Sequence, residues 1–255
     1  MAQPGSYRSI ALLPLDETVC ANVSEELNQI LTPLGIVFST SQLTCCVRHL
    51  LYVEQVNTYM NLTRITDLHD ALVLHIVDSI LLSHVLPSVP RRFLDMGTGA
   101  GFPGIPFHVA TGASGVLIDS VGKKIDAVNA FIHALDLQGL IGVHERLEQY
   151  ALVQKNSFDL VLARAVGSIP LLLEYACPFL IDDGYVLLAK ARPSSDELMY
   201  GNDVAHICGL TLIEQFEFEL PCELGHRMAL LYQRVGEPQI ELPRSVGAAK
   251  RSPLA

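Results

Sequence analysis

From residue 91 onward, short apolar runs alternate with stretches whose apolar positions recur at helical spacing. The runs at 92–96, 115–119, 140–144, 158–163 and 184–189 predict strands, and the intervening segments 103–111, 122–137, 148–154 and 168–181 predict helices. Short strands that are apolar on both faces, each followed by a helix, indicate a parallel sheet covered on both sides. The pattern then changes. Residues 210–220 and 227–235 read as two long strands with only Pro221 to His226 between them, which predicts an antiparallel hairpin. Upstream of residue 91 the period is helical throughout. Segments 18–31 and 41–60 are separated by the break Pro33-Leu34-Gly35. Asp67 is suited to cap a helix running to about Val85, with Asp70 in its first turn favouring the helix dipole. That helix is apolar nearly all round, so burial on most sides is expected. Pro87 and Pro90 end it. The chain therefore divides into a helical segment over 1–90 with a loose leader at 1–16, an α/β domain over 91–241, and a tail over 242–255. No internal repeat is visible.

Composition narrows this picture. The chain has 255 residues, half of them apolar, enough for one large core. Its formal net charge is -10, and the sums are -5 for residues 1–90 and -5 for residues 91–255. A general nucleic-acid clamp would be basic, so a polynucleotide substrate would have to be met by local basic patches. The tail is one such patch, carrying Arg244, Lys250 and Arg251 and no acidic residue. The six cysteines form no C-x-x-C pair, which fits buried thiols in a reducing compartment, and no Cys/His spacing suggests a metal. Ile10 to Leu15 is an apolar run too short for a span and is broken by Pro14. A cytoplasmic protein with no membrane segment is expected.

The candidate chemistry centres on Arg92 to Gly104, RFLDMGTGAGFPG. A strand ends at Asp95-Met96, glycines at 97, 99 and 101 turn the chain, and Pro103 is placed to open a helix. A strand, a tight turn and a helix N-terminus form a seat for a nucleoside cofactor. Two registers compete: Gly97-x-Gly99-x-Gly101 directly after Asp95, and Gly99-x-Gly101-x-x-Gly104, which matches a dinucleotide fingerprint. A carboxylate at Asp95 repels a pyrophosphate but suits a cationic sulfonium or amino group, unless it only caps the turn. Asp119, ending the second strand, suits ribose hydroxyls in either cofactor class, or else caps the next helix. Lys123 and Lys124 open that helix as an ordinary solvated pair or as phosphate contacts.

Asp95 to Pro106 resembles the signature of the bacterial 16S ribosomal RNA guanine-N7 methyltransferases, also called glucose-inhibited division protein B. Matches continue in order at Asn61-Leu62-Thr63, at His75 with Asp78-Ser79, at Leu117 to Lys124, at Arg146-Leu147-Glu148, at Ala163-Arg164-Ala165, at Leu188-Ala189-Lys190 and through the tail. The resemblance covers roughly residues 50 to 254 and leaves the first forty or so outside. Departures are Ala191, where the family commonly has glycine, an altered tail, and the absence of tryptophan. The resemblance implies the class I S-adenosylmethionine-dependent methyltransferase fold: a mostly parallel Rossmann-like sheet with a C-terminal antiparallel hairpin, preceded by helices. It implies S-adenosyl-L-methionine as cofactor, with contacts at Gly97, Phe102, Leu147, Glu148 and Arg164, to which the strand-end and loop chemistry adds Asp95, Gly99, Gly101 and Asp119 as candidates.

The implied reaction is methyl transfer to guanine N7 in 16S ribosomal RNA of the small ribosomal subunit. N7 carries an exposed lone pair, so proximity and in-line orientation matter more than a general base, and no catalytic acid or base is expected. Arg164, an arginine at a strand's carboxyl end, needs a carboxylate or phosphate: the methionine carboxylate, the target nucleotide, or a structural partner such as Asp159. His75, Asp78 and Ser79 share one helix face and either line the cleft or brace the two segments. Candidate RNA contacts are Arg91, Arg92, Lys123, Lys124, Arg192, Arg244, Lys250 and Arg251. A monomer without a metal is expected. The competing readings are a methyltransferase for another RNA or a small molecule, a nicotinamide-dependent oxidoreductase, and a non-catalytic cofactor-binding assembly factor.

Overall fold

The computed structural model describes residues 10–164 and 167–255. The first nine residues of the expected leader, and Ala165 of the family resemblance, lie outside the described residues. Seven strands form one sheet: β1 Arg92–Met96, β2 Ser114–Asp119, β3 Leu140–His144, β4 Phe158–Arg164, β5 Leu180–Lys190, β6 Leu210–Glu219 and β7 His226–Arg234. Their order is β3-β2-β1-β4-β5-β7-β6. The first five pair in parallel, whereas β7 runs antiparallel to both β5 and β6. This is the expected mostly parallel sheet with a C-terminal hairpin.

The central strands are apolar on both faces because two cores flank the sheet. Phe93, Leu160, Leu162 and Leu187 face one core, and Leu94, Val161, Ala163 and Leu188 face the other, the strict period of two that a pleated strand imposes. The first core also takes in the N-terminal helices Glu17–Leu31, Thr40–Asn57 and the helical segment Leu68–Val85, so apolar packing is continuous across Pro87–Pro90. Each helix start has a local cause. Asp16 accepts from Thr18 N and Val19 N, Ser39 and Gln42 form a reciprocal capping box, and Asp67 accepts from Asp70 N. By length and composition Leu68–Val85 would suffice to cross a bilayer. Here Leu72, Val73, Ile76, Val77 and Ile80 are buried against protein.

Two elements differ from expectation. Leu68–Val85 is not a regular helix: its turn over Leu72–Val77 is widened, with the Asp78 N–H reaching back five residues to the Val73 carbonyl. The second is a helix at Ser195–Ile207, capped by Ser194, in a stretch where no element is evident from the pattern. Gly201 and a largely polar composition hide its apolar face, formed by Val204 and Ala205.

β1 leads to β2 on one side and β4 lies on the other, so the strand order reverses between β1 and β4. The carboxyl ends of β1, β2, β4 and β5 open onto a crevice at this reversal, where ligands bind in open α/β sheets.

Candidate active site

The glycine loop leaves β1 with Gly97, Gly99 and Gly101 at φ of 73°, 61° and 92°, the left-handed region a side chain rarely adopts. Asp95 holds this loop shut. Its Oδ2 accepts from Thr98 Oγ1 at 2.6 Å and from Gly104 N at 2.9 Å, closing the turn onto the helix Gly104–Thr111. Gly104 is required by this approach, since a Cβ there would lie 2.7 Å from Asp95 Oδ2 and 2.9 Å from Leu117 Cγ. Burial lifts the Asp95 pKa to about 6, and the two hydrogen bonds oppose the rise. Beneath the loop, His49 is fully buried with Nε2 2.9 Å from the Ala100 carbonyl. A carbonyl only accepts, so Nε2 carries the proton, and burial keeps the ring neutral with its pKa lowered to about 4.

Beside the loop lies a cavity of about 270 Å³. Gly97, Asp119, Leu147 and Glu148 all line it, as do Met96, Ile118 and Tyr175. The Asp119 carboxylate accepts from Val121 N at 2.9 Å and from Gly99 N at 3.2 Å, with Lys124 Nζ 4.0 Å away. Asp119 therefore ties the turn before the next helix to the glycine loop and borders the cavity; the helix itself starts at Val121 with no side-chain cap, so the capping reading of Asp119 does not hold. Three cations (Lys124, Arg146, Lys250) meet three carboxylates (Asp119, Glu145, Glu148) on its walls.

A second cavity, of about 600 Å³, opens at the ends of β4 and β5. Arg164 belongs to this one. Its Nη1 donates to Asp78 Oδ2 at 3.0 Å and to the Leu74 carbonyl at 2.9 Å. The widened turn explains the second bond: the Asp78 N–H that would serve Leu74 in a regular helix goes to Val73 instead. Asp159, the alternative partner for Arg164, is engaged elsewhere, by Arg91. From the hairpin, Arg227 Nε donates to the same Asp78 Oδ2 at 3.1 Å. Lys190 reaches the Gly167 carbonyl at 2.7 Å and Glu197 at 2.8 Å. Arg164, Lys190, Arg192 and Arg227 thus face Asp78 and Glu197, four cations to two carboxylates, in a chain whose net charge is -10. His75 lines this cavity too, hydrogen-bonded to Thr63 Oγ1 at 2.8 Å and kept neutral by burial and by Arg164, with its pKa lowered to about 3. It does not pair with Asp78; Ser79, third residue of that helix face, donates to the His75 carbonyl.

The remaining sequence candidates separate by position. Phe102 stacks on His75, with centroids 4.6 Å apart, and lies under Arg164, so it packs between the loop and the second cavity. Arg91 and Arg92 stand at the amino end of the sheet, away from both cavities. Arg91 pairs with Asp159, and Arg92 lies 4.5 Å over the Phe158 ring and donates to Gln154. Arg244 forks onto Glu174, which leaves it engaged within the protein. Lys123 and Arg251 are exposed, Arg192 borders the second cavity, and Lys250 borders the first. Sequence reasoning missed Arg227, whose only signal is a lone cation at the start of an apolar strand, and Tyr175, hidden in an apolar helix. Among the described residues no group of three His, Cys, Asp or Glu is arranged for a metal.

The family model described as rRNA small subunit methyltransferase G matches residues 42–219. Ribosomal RNA small subunit methyltransferase G of Desulfitobacterium hafniense is 35% identical over 201 residues, covering 78% of this chain and 83% of that protein. The chain belongs to this family. The enzyme of the same name from Staphylococcus epidermidis is 33% identical over 233 residues, 90% of this chain and 98% of the relative. That leaves a tenth of the chain unmatched, so the likeness reaches further toward the amino terminus than residue 50. Among solved structures, TYW2 of P. horikoshii in complex with MeSAdo aligns with a TM-score of 0.52 at 12% identity, covering 64% of this chain and 63% of that one. Geranyl diphosphate methyltransferase in complex with GPP and sinefungin aligns at 0.51 and 10% identity, covering 62% and 77%. At such identities the two structures show the fold alone. The antiparallel β7 inserted between β5 and β6 sets this sheet apart from the 3-2-1-4-5-6 order of dinucleotide-binding enzymes.

The first cavity fits the S-adenosylmethionine that the family uses. Its lining has a carboxylate at Asp119 able to accept from hydroxyls, apolar side chains at Met96, Ile118 and Leu147 able to pack on a flat base, and balanced wall charges that suit a zwitterion.

Proposed function

We infer that this protein transfers a methyl group from S-adenosylmethionine to N7 of a guanine in 16S ribosomal RNA. Membership of the small-subunit methyltransferase family carries the reading, and the pair of adjoining cavities supports it. The sulfonium of the cofactor supplies an electrophilic methyl. The chain's own task is then to place a nucleophile that needs no deprotonation. In this reading the cavity beside Asp119 holds the cofactor, and the cavity beside Arg164 takes the target nucleotide. The excess of cations in the second cavity suits a phosphodiester and the O6 edge of guanine. Asp78, bonded to both arginines, orients them so that their remaining N–H donors face the nucleotide. Arg164 stands on the nucleotide side, and its alternative as a contact to the methionine carboxylate is separated by comparing cofactor affinity with methylation rate in Arg164→Ala.

The enzyme works in the cytoplasm as a monomer and needs no metal, since neither the nucleophile nor the leaving thioether requires one. The test uses labelled S-adenosylmethionine, the purified protein, and small subunits from cells lacking its gene, with digested RNA analysed for 7-methylguanosine. Label in that nucleoside is expected. A preparation that binds S-adenosylhomocysteine but labels no nucleotide of the subunit would overturn the reading.

A further inference from the structure

The C-terminal tail is docked against the cofactor cavity, and the docking is specific. Arg244 forks onto Glu174, Nε to Oε1 at 2.8 Å and Nη2 to Oε2 at 2.7 Å, and Glu174 is only 4% exposed. A bidentate pair with a buried carboxylate fixes position as well as charge. Three residues on, Gly247 sits at φ 76° and its N–H donates to Glu148 Oε1 at 2.8 Å. Leu242 and Ala249 are buried at 4% and 3% exposure. The space left between the tail, Leu147 and Tyr175 is about 10 Å³, room for about one water molecule, so the contact is close-packed. These anchors bring Gly247 and Lys250 to the cavity wall that also holds Asp119, Leu147 and Glu148. The family model ends at residue 219, so it includes Glu148 and Glu174 but not the tail residues that bond to them.

We propose that the tail is part of the cofactor site: it walls the nucleoside half of the cofactor, with Lys250 supplying a donor there and the Arg244–Glu174 pair acting as the latch. The assignment rests on the cofactor reading above. The nucleoside half is favoured because the tail grips Glu148, next to the apolar Leu147, and borders the cavity with Asp119, whereas the arginines of β4 and β7 lie in the other cavity. Lys250 is exposed and bonded to no carboxylate among the described residues, so its ammonium is free to turn to a ring nitrogen or hydroxyl.

The test compares the full chain with Arg244→Gln, Gly247→Ala and Lys250→Gln, titrating each with S-adenosylhomocysteine and with 5′-methylthioadenosine, which lacks the amino-acid half. Gly247→Ala strains the left-handed turn at φ 76°, while the exposed Arg251 guanidinium near the new methyl can move aside, so it loosens the tail through the backbone without touching the buried glutamate. Arg244→Gln and Gly247→Ala are expected to weaken both ligands by the same factor, about tenfold, and Lys250→Gln by about threefold, the size of one polar contact. Variants that melt like the parent yet bind both ligands within twofold of it would overturn the proposal. So would a loss confined to S-adenosylhomocysteine, which would put the tail against the amino-acid half. A parent chain that binds neither ligand would instead remove the cofactor reading itself.

Discussion

At the residue scale, the two cavities turn on two carboxylates with opposite duties. Asp119 borders the cavity proposed for the cofactor, where its carboxylate is placed to meet neutral hydroxyls; Asp78 already meets charge, accepting from two guanidinium groups. Asp119→Ala is expected to weaken S-adenosylhomocysteine binding about tenfold by calorimetry, since it removes an acceptor for the ribose and leaves Gly99 N and Val121 N unserved. Arg164→Ala is expected to lower the methylation rate about 100-fold while moving the S-adenosylhomocysteine Kd by less than about threefold, the pattern of a group that acts on the substrate side. A Kd rise as large as the rate loss would place Arg164 on the methionine carboxylate. Asp78→Asn leaves two arginines facing each other without a counter-charge. A loss of about 2 kcal/mol in chemical denaturation is expected, below the full cost of breaking a buried pair because both guanidinium groups reach solvent. Asp119 was legible from its place at the end of a strand. Arg227 was not, because what holds it in the second cavity is a carboxylate 149 positions away.

At the scale of elements, the glycine loop and the Leu68–Val85 segment do the positioning. The loop is closed by a carboxylate, a hydroxyl and a backbone N–H within one short stretch, which is why its conformation was readable locally. Gly104→Ala drives a methyl into Asp95 and Leu117, both fixed by packing, and is expected to cost about 2 kcal/mol in denaturant midpoint analysis and to weaken cofactor binding in parallel. The widened turn at Leu72–Val77 was invisible to periodicity, because the sequence there is apolar on every side and gives no phase to detect. Tertiary bonding accompanies it: Arg164 takes the carbonyl that the regular ladder would have used. The Ser195–Ile207 helix escaped for the opposite reason, since too few apolar positions mark its buried face.

At the scale of the whole molecule, two neutral histidines sit at the contact between the N-terminal helices and the sheet. His49 and His75 have folded pKa values lowered to about 4 and about 3, so between those values and the ordinary 6.5 the unfolded chain binds protons that the folded chain does not. Stability is therefore lost as pH falls from about 6.5 toward 4, and it levels off only below the folded values. Asp95 works in the other sense. Its folded pKa is raised to about 6, so lowering pH through that window relieves the cost of its buried charge. Two histidines outweigh one carboxylate, and a net loss on the order of a few kcal/mol is expected between pH 6.5 and 4 by denaturant titration, reduced in His49→Gln. A midpoint unchanged across that range would remove the histidines' assigned role. Charge at this scale also sets how RNA is held. With a net charge of -10 and cations concentrated at one cavity, few phosphates are neutralised, and a log–log salt slope of about -2 to -3 is expected for subunit binding. A slope near -10 would mean a much larger basic surface than the second cavity provides.

The sequence by itself determined the parallel sheet, its closing hairpin, the cofactor loop and the family. Each of these rests on short-range regularities: apolar period, glycine spacing and residues adjacent along the chain. Only the tertiary structure decided which charges meet. It sent Arg164 and Arg227 to Asp78, Arg91 to Asp159 and Arg244 to Glu174, and so separated the cations free to face a ligand from those spent on the fold. The physical reason is that a charged side chain takes its role from whatever lies within a few ångströms, and those partners sit 68 to 149 residues away along the chain.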